Sequence, residues 1–193
     1  IRFKIFVSML FLMNVKMAYT QITIAGNQTA NVLAQTLVGP GVTISNPTLN
    51  CNQNGNGTFV ITPPNISNLG LSSGIILTSG IAKTNGAILG ANGIGTGGTP
   101  SNVTGNGSDP DLAILTAPQG SLDKCVLEFD FIPLGDTIKF DYIFASTEYQ
   151  TFTCSIADVF GFFLSGPGIA GPFSGGAKNI ALVPNTNCPV GVN

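Results

Sequence analysis

Acidic side chains are the residues of this sequence whose type and placement could do chemistry. Only nine occur in 193 residues, and Asp109, Asp111, Glu148 and Asp158 all fall in predicted loops or at predicted strand ends. Ca²⁺ prefers carboxylate and carbonyl oxygens as ligands, so these four acids predict one structural Ca²⁺ site. The alternative is that they are solvated turn residues, with Asp109 acting as a cap or Asx-turn and Glu148 paired with a lysine.

The sequence contains few residues that could form a catalytic site. The chain has no histidine, which excludes Ser-His-Asp and Cys-His arrangements within it. Glu148 with Asp158, or Glu128 with Asp141, could be drawn as a glycosidase pair. The second pair lies on predicted neighbouring strands, however, too close together to straddle a sugar. We therefore predict that the protein is not an enzyme.

Two aromatic residues follow Glu148 in a predicted loop. Tyr149 and Phe152 are candidates for a patch that binds a ligand or a partner. The alternative is that both rings cap the hydrophobic core.

The first twenty residues have the pattern of a signal peptide. Arg2 and Lys4 precede an apolar run over 5–13, and small residues follow near Ala18. The run is shorter than the ~20 apolar residues that span a membrane; the alternative is an uncleaved N-terminal anchor.

Without residues 1–20, four basic residues remain against nine acidic ones, a net charge of −5. That balance argues against binding to nucleic acid or to anionic lipid.

Four cysteines in an exported chain predict disulfides. We expect Cys125 to pair with Cys154 and Cys51 with Cys188, because Cys125 lies near residue 144 in the predicted hairpin and the loop that carries Cys154 begins just after it. Free thiols, or a partner in a missing C-terminal segment, are the alternatives. Zinc is not expected, because the chain has neither CxxC nor histidine.

Short alternating segments separated by Gly, Asn and Pro predict an all-β protein. Residues 29–37 could form a short helix, and 80–107 predict a long Gly- and Asn-rich loop. The predicted strands cover residues 58–62, 74–78, 125–132, 137–145, 159–164 and 179–183, with weaker candidates at 21–25 and 42–45.

Residues 125–132 and 137–145 alternate on either side of a short turn and predict a hairpin. One register matches every apolar pair, and a slip of one residue would turn one apolar set toward water. The same register places Glu128 opposite Asp141, which is unfavourable unless a positive charge lies between them. The predicted pairs are Phe131 with Ile138, Asp130 with Lys139, Phe129 with Phe140, Leu127 with Tyr142, and Cys125 with Phe144.

An ordered series of sequence blocks resembles the choice-of-anchor L domain family. The blocks are LEFDF at 127–131, YIFASTEY at 142–149, DVFGFFLSGPG at 158–168, GLSSGIIL at 70–77, SDPDL at 108–112 and NIALVP at 179–184. The resemblance implies an exported or surface-anchored protein, often of Bacteroidota, with a variable C-terminal anchor or a type IX sorting signal.

The expected organisation is a signal peptide at 1–20, lead-in strands at 21–44 and the family domain at 45–193. We expect an antiparallel β-sandwich, jelly-roll-like and incomplete at its C-terminus. The predicted function is a non-catalytic secreted or cell-surface module, for adhesion or as a structural part of a larger surface protein. Its ligand would be a surface glycan or a protein. The alternatives are a carbohydrate-binding module and an accessory domain of a polysaccharide-directed hydrolase.

Overall fold

A computed structural model describes residues 21–62, 69–82, 106–146 and 157–192. Strands in antiparallel sheets dominate it and helices are few, which confirms the predicted all-β, sandwich-like class. A jelly-roll connectivity stays a prediction. The elements are β1 (Gln21–Gly26), α1 (Ala30–Leu37), β2 (Val42–Cys51), β3 (Asn56–Thr62), β4 (Ser73–Leu77), α2 (Pro110–Leu115), β5 (Cys125–Pro133), β6 (Asp158–Val159), β7 (Phe163–Leu164), β8 (Lys178–Asn179) and β9 (Gly191–Val192).

The first sheet has the order β1-β3-β4, and both pairings are antiparallel. Alternation along β3 buries Phe59 and Ile61 and exposes Val60 between them, as a half-buried strand requires. Ile24 of β1 completes this hydrophobic core, and Ile22, Leu71 and Ile76 pack against it.

The second sheet consists of β2 and β5, paired antiparallel from Val42 opposite Pro133 to Cys51 opposite Cys125. The register shifts between Ser45 and Thr48, at a β-bulge. Helix α1 contacts both strands of this sheet and also β3 and β4, so it packs against both sheets.

Helix α1 begins where the sequence predicts it. The Thr29 hydroxyl accepts a hydrogen bond from the amide of Val32, the expected role of an N-cap threonine. Leu33 and Ala34 are completely buried and form the contact face of the helix.

The predicted hairpin between 125–132 and 137–145 is wrong. β5 pairs with β2, and residues 137–146 have no strand assignment. The alternating pattern of β5 is correct, but alternation does not say which strand lies alongside. With β2 as the neighbour, Glu128 lies opposite Thr48 instead of Asp141, so the unfavourable pair does not form.

Residues 137–146 instead contact the segment around β6 and β7 through their side chains. The rings of Phe140 and Phe162 stack with centroids 4.2 Å apart, and those of Tyr142 and Phe160 with centroids 5.2 Å apart. The predicted strands at 159–164 and 179–183 are present only as short pairings, β6 with β9 and β7 with β8.

Candidate functional site

A pocket of about 260 Å³ lies in the C-terminal part of the fold. We call it the C-terminal pocket. Four pieces of chain form its wall: α2, the hairpin at 171–177, β8 and the turn at 182–189. Its lining residues are Leu115, Pro172, Phe173, Lys178, Asn179, Leu182, Asn187 and Pro189.

The hairpin at 171–177 is closed by its own backbone hydrogen bonds. The amide of Gly171 donates to the carbonyl of Gly176 at 2.8 Å, and the amide of Phe173 donates to that of Ala177 at 3.3 Å. A Cβ at Gly171 would collide with the Ala177 carbonyl and come within 2.7 Å of Cγ of Lys178. Glycine is therefore required here by the close approach of two backbones and of the lysine stem.

The turn at 182–189 is held in the same local way. Leu182 and Pro189 form an antiparallel bridge, and the amide of Val183 donates to the carbonyl of Cys188 at 2.9 Å. The Thr186 hydroxyl both donates to the Val183 carbonyl and accepts from the Cys188 amide. One threonine thus pins the turn on both sides.

Two aspartates at the start of α2 accept hydrogen bonds, one within the helix and one from the 171–177 hairpin. Asp109 Oδ1 accepts from the amides of Asp111 and Leu112 and caps the helix. Asp111 Oδ1 accepts from both the amide and the hydroxyl of Ser174, each at 3.0 Å. The second contact ties the tip of the 171–177 hairpin to α2.

The polar groups of the pocket differ in what they bond. Asn179 Oδ1 accepts from the amides of Phe162 and Ala181, so this side chain is committed to the fold. The Lys178 ammonium and the Asn187 amide have no hydrogen-bond or ion-pair partner among the described residues. Those two groups are available to a ligand.

Comparison with protein families gives a match that includes all the residues described by the structure. The model of the choice-of-anchor L domain matches residues 21–193. The chain belongs to this family. Neither the comparison with curated proteins nor that with solved structures found a match.

Membership in the choice-of-anchor L family indicates a surface-associated module. The family is not a known enzyme family. In the part of the chain that the structure describes, no helix is long and apolar enough to cross a membrane.

The predicted Ca²⁺ ligands are only partly described. Asp109 and Asp111 lie together at the start of α2, each with an oxygen already hydrogen-bonded. Asp158 of β6 accepts from the Ser146 hydroxyl, and Glu148 lies outside the described residues. Within the described ranges, no three acids, cysteines or histidines group as metal ligands do. The calcium site therefore stays a prediction.

Both predicted disulfide pairings are corrected by the structure. Cys51 bonds to Cys125, directly across from it in the β2–β5 register. Cys188 is a free, exposed thiol, and Cys154 lies outside the described residues. The prediction paired Cys125 with the segment that follows it because the hairpin was expected there. Once β2 is the neighbour, the facing cysteine is Cys51.

The candidate partner patch, Tyr149 and Phe152, also lies outside the described residues. The C-terminal pocket was missed by the sequence analysis. Its signal was the density of Gly, Pro and Asn over 166–189, which predicts successive tight turns. Turns that cluster at one end of a fold are common places for binding residues.

Proposed function

We propose that this chain is a non-catalytic module displayed at the cell surface, where it works in adhesion. The observation that carries the proposal is the C-terminal pocket, a concave site whose rims are closed by their own hydrogen bonds before any ligand arrives. A preformed site avoids the ordering cost of binding. The surface association of the family supports the location.

Adhesion is favoured over a purely structural spacer by the composition of the pocket. The Lys178 ammonium and the Asn187 amide, which have no partner among the described residues, lie beside the ring of Phe173, and a purely structural spacer would not require that arrangement. A carbohydrate-binding module is a second function that the same observation favours, because apolar walls with a few polar groups are typical of small-ligand sites.

Attachment of coated particles tests the proposal. Inert particles carrying the oxidised full chain are compared with particles carrying serum albumin, on cultured cells, matrix protein and neutral and acidic polysaccharide. We expect the chain to exceed albumin on at least one surface, and a Gly171→Val variant, in which the hairpin cannot close, to fall to the albumin level. A chain that exceeds albumin on none of these surfaces contradicts adhesion and leaves the structural role.

A further inference from the structure

The charge of the C-terminal pocket is opposite to that of the chain. The chain has seven basic residues against nine acidic ones. Yet the eight lining residues include one lysine and no carboxylate. Lys178 has no ion-pair partner among the described residues, whereas the Lys124 ammonium donates to the carbonyl of Ser108 at 2.9 Å. An unpaired cation in a concave site attracts an anionic group.

The other residues that line the pocket indicate which kind of molecule carries that anionic group. Phe173, Pro172 and Pro189 offer C–H and ring surface, and Leu115 and Leu182 extend it. Beside this surface the Asn187 amide both donates and accepts hydrogen bonds and has no described partner. A ligand with one apolar face, hydroxyl groups at its rim and a carboxylate matches all three features.

Size favours a single ring. At about 260 Å³, the pocket is smaller than the ~300–1,000 Å³ that holds a drug-sized ligand. It therefore accommodates one compact group and not a folded peptide element.

We propose that the C-terminal pocket binds one acidic monosaccharide unit of a surface glycan, such as a uronic acid. The carboxylate is held by the Lys178 ammonium, a ring hydroxyl by the Asn187 amide, and the apolar ring face by Phe173 and the prolines. This inference rests on the proposed adhesion function and names its ligand class. Acidic peptide side chains share the carboxylate but lack the hydroxyls, and they are the competing outcome of the test.

Titration of the oxidised full chain, followed by amide NMR, tests this assignment. The probes are galacturonate, galactose, acetate and N-acetylaspartate. We expect galacturonate to shift amides at 173, 178 and 187 and to bind roughly tenfold more tightly than the other three, the factor that ~1.4 kcal/mol supplies. Lys178→Gln should remove the preference for galacturonate over galactose. Lys139→Gln, an exposed lysine outside the pocket, should leave it unchanged.

Three results overturn the inference. They are equal binding of galactose and galacturonate, binding of N-acetylaspartate as tight as that of galacturonate, and no shift at the pocket with any probe. Adding galacturonate to the particle assay distinguishes a failure of this inference from a failure of the proposed adhesion function. If particles attach but galacturonate does not displace them, adhesion is supported and the acidic-sugar site is contradicted. If the chain binds galacturonate but its particles do not attach, the sugar site is supported and adhesion is contradicted.

Discussion

Two regions of this molecule are held together in different ways. The scaffold, by which we mean β1 to β5 with α1, has strands of five to ten residues, a buried core and the Cys51–Cys125 disulfide. The pocket region, residues 157–192, has four strands of two residues each. Its shape depends on tight turns whose hydrogen bonds are mostly local.

This difference indicates that the scaffold provides most of the stability and that the pocket region provides the binding residues. Apolar burial is the dominant favourable contribution to the free energy of folding, whereas turns held by local bonds open at lower cost. Binding residues are commonly found on such turns because a rigid scaffold positions them. We therefore expect substitutions in the scaffold to unfold the chain and substitutions in the pocket region to change binding first.

The largest effect is expected from removing the disulfide. Cys51 and Cys125 are 74 residues apart, and a loop of that length predicts about 4.5 kcal/mol of stabilisation on the chain-entropy model. The double variant Cys51→Ser with Cys125→Ser should lose that amount in chemical denaturation. Cys188→Ser is the matched control, because that thiol is free and exposed. Equal losses in the two proteins would contradict the disulfide.

The core of the first sheet gives the next effect. Ile61 is 2% exposed, and Ile61→Ala should cost about 2–5 kcal/mol by leaving a cavity. Its neighbour Val60 is 53% exposed, so Val60→Ala is expected to cost much less. The urea denaturation midpoints of the two variants measure the difference in stability. Similar midpoints would contradict the burial of Ile61 and the exposure of Val60 in β3.

Calcium would stabilise the folded chain through Asp109, Asp111, Glu148 and Asp158 if the predicted site exists. Saturation at a hundred times the dissociation constant adds about 2.7 kcal/mol to the free energy of unfolding. The melting temperature with millimolar Ca²⁺ should then exceed that with chelator by several degrees, and Asp111→Asn should reduce the difference. Identical melting curves in the two buffers would contradict the predicted calcium site.

The smallest effect is expected where α2 meets the hairpin. Asp111→Ala removes the acceptor for both Ser174 donors, a loss of about 1 kcal/mol in a partly exposed contact. Global stability should change little, while proteolysis within 171–177 should become faster. Asp141→Ala, an exposed aspartate elsewhere, is the control. Unchanged proteolysis in both variants would show that Ser174 does not hold the hairpin.

Sequence patterns predicted the scaffold better than the pocket region. Period-two alternation located β5, and short apolar runs between Gly, Asn and Pro located β3 and β4, because these patterns mark a strand whatever its neighbour is. The pattern could not identify the neighbour itself. Pairing β5 with residues 137–145 satisfied every apolar match, yet β2 forms the ladder, and the wrong disulfides followed from the wrong neighbour.

The pocket lay beyond sequence reasoning for a different physical reason. Its lining comes from four separated pieces of chain, and Leu115 is more than 50 residues from Lys178. Tight turns are visible as Gly, Pro and Asn, but their arrangement in space depends on contacts such as that of Asp111 with Ser174. The sequence analysis singled out Asp111 as a metal ligand, which stays a prediction, but it gave no indication that the Asp111 carboxylate accepts hydrogen bonds from Ser174, 63 residues away.

Amide hydrogen exchange on the oxidised chain, with and without galacturonate, tests the central claim most directly. That claim is that a stable scaffold carries a locally held binding region. We predict that amides of β3 and β5 exchange last and are unaffected by the sugar. Amides at Phe173, Ala177, Val183 and Cys188 should exchange earlier, through local opening, and should be slowed by galacturonate. Exchange at those four positions as slow as in β5, or slowing by the sugar throughout the scaffold, would contradict the account.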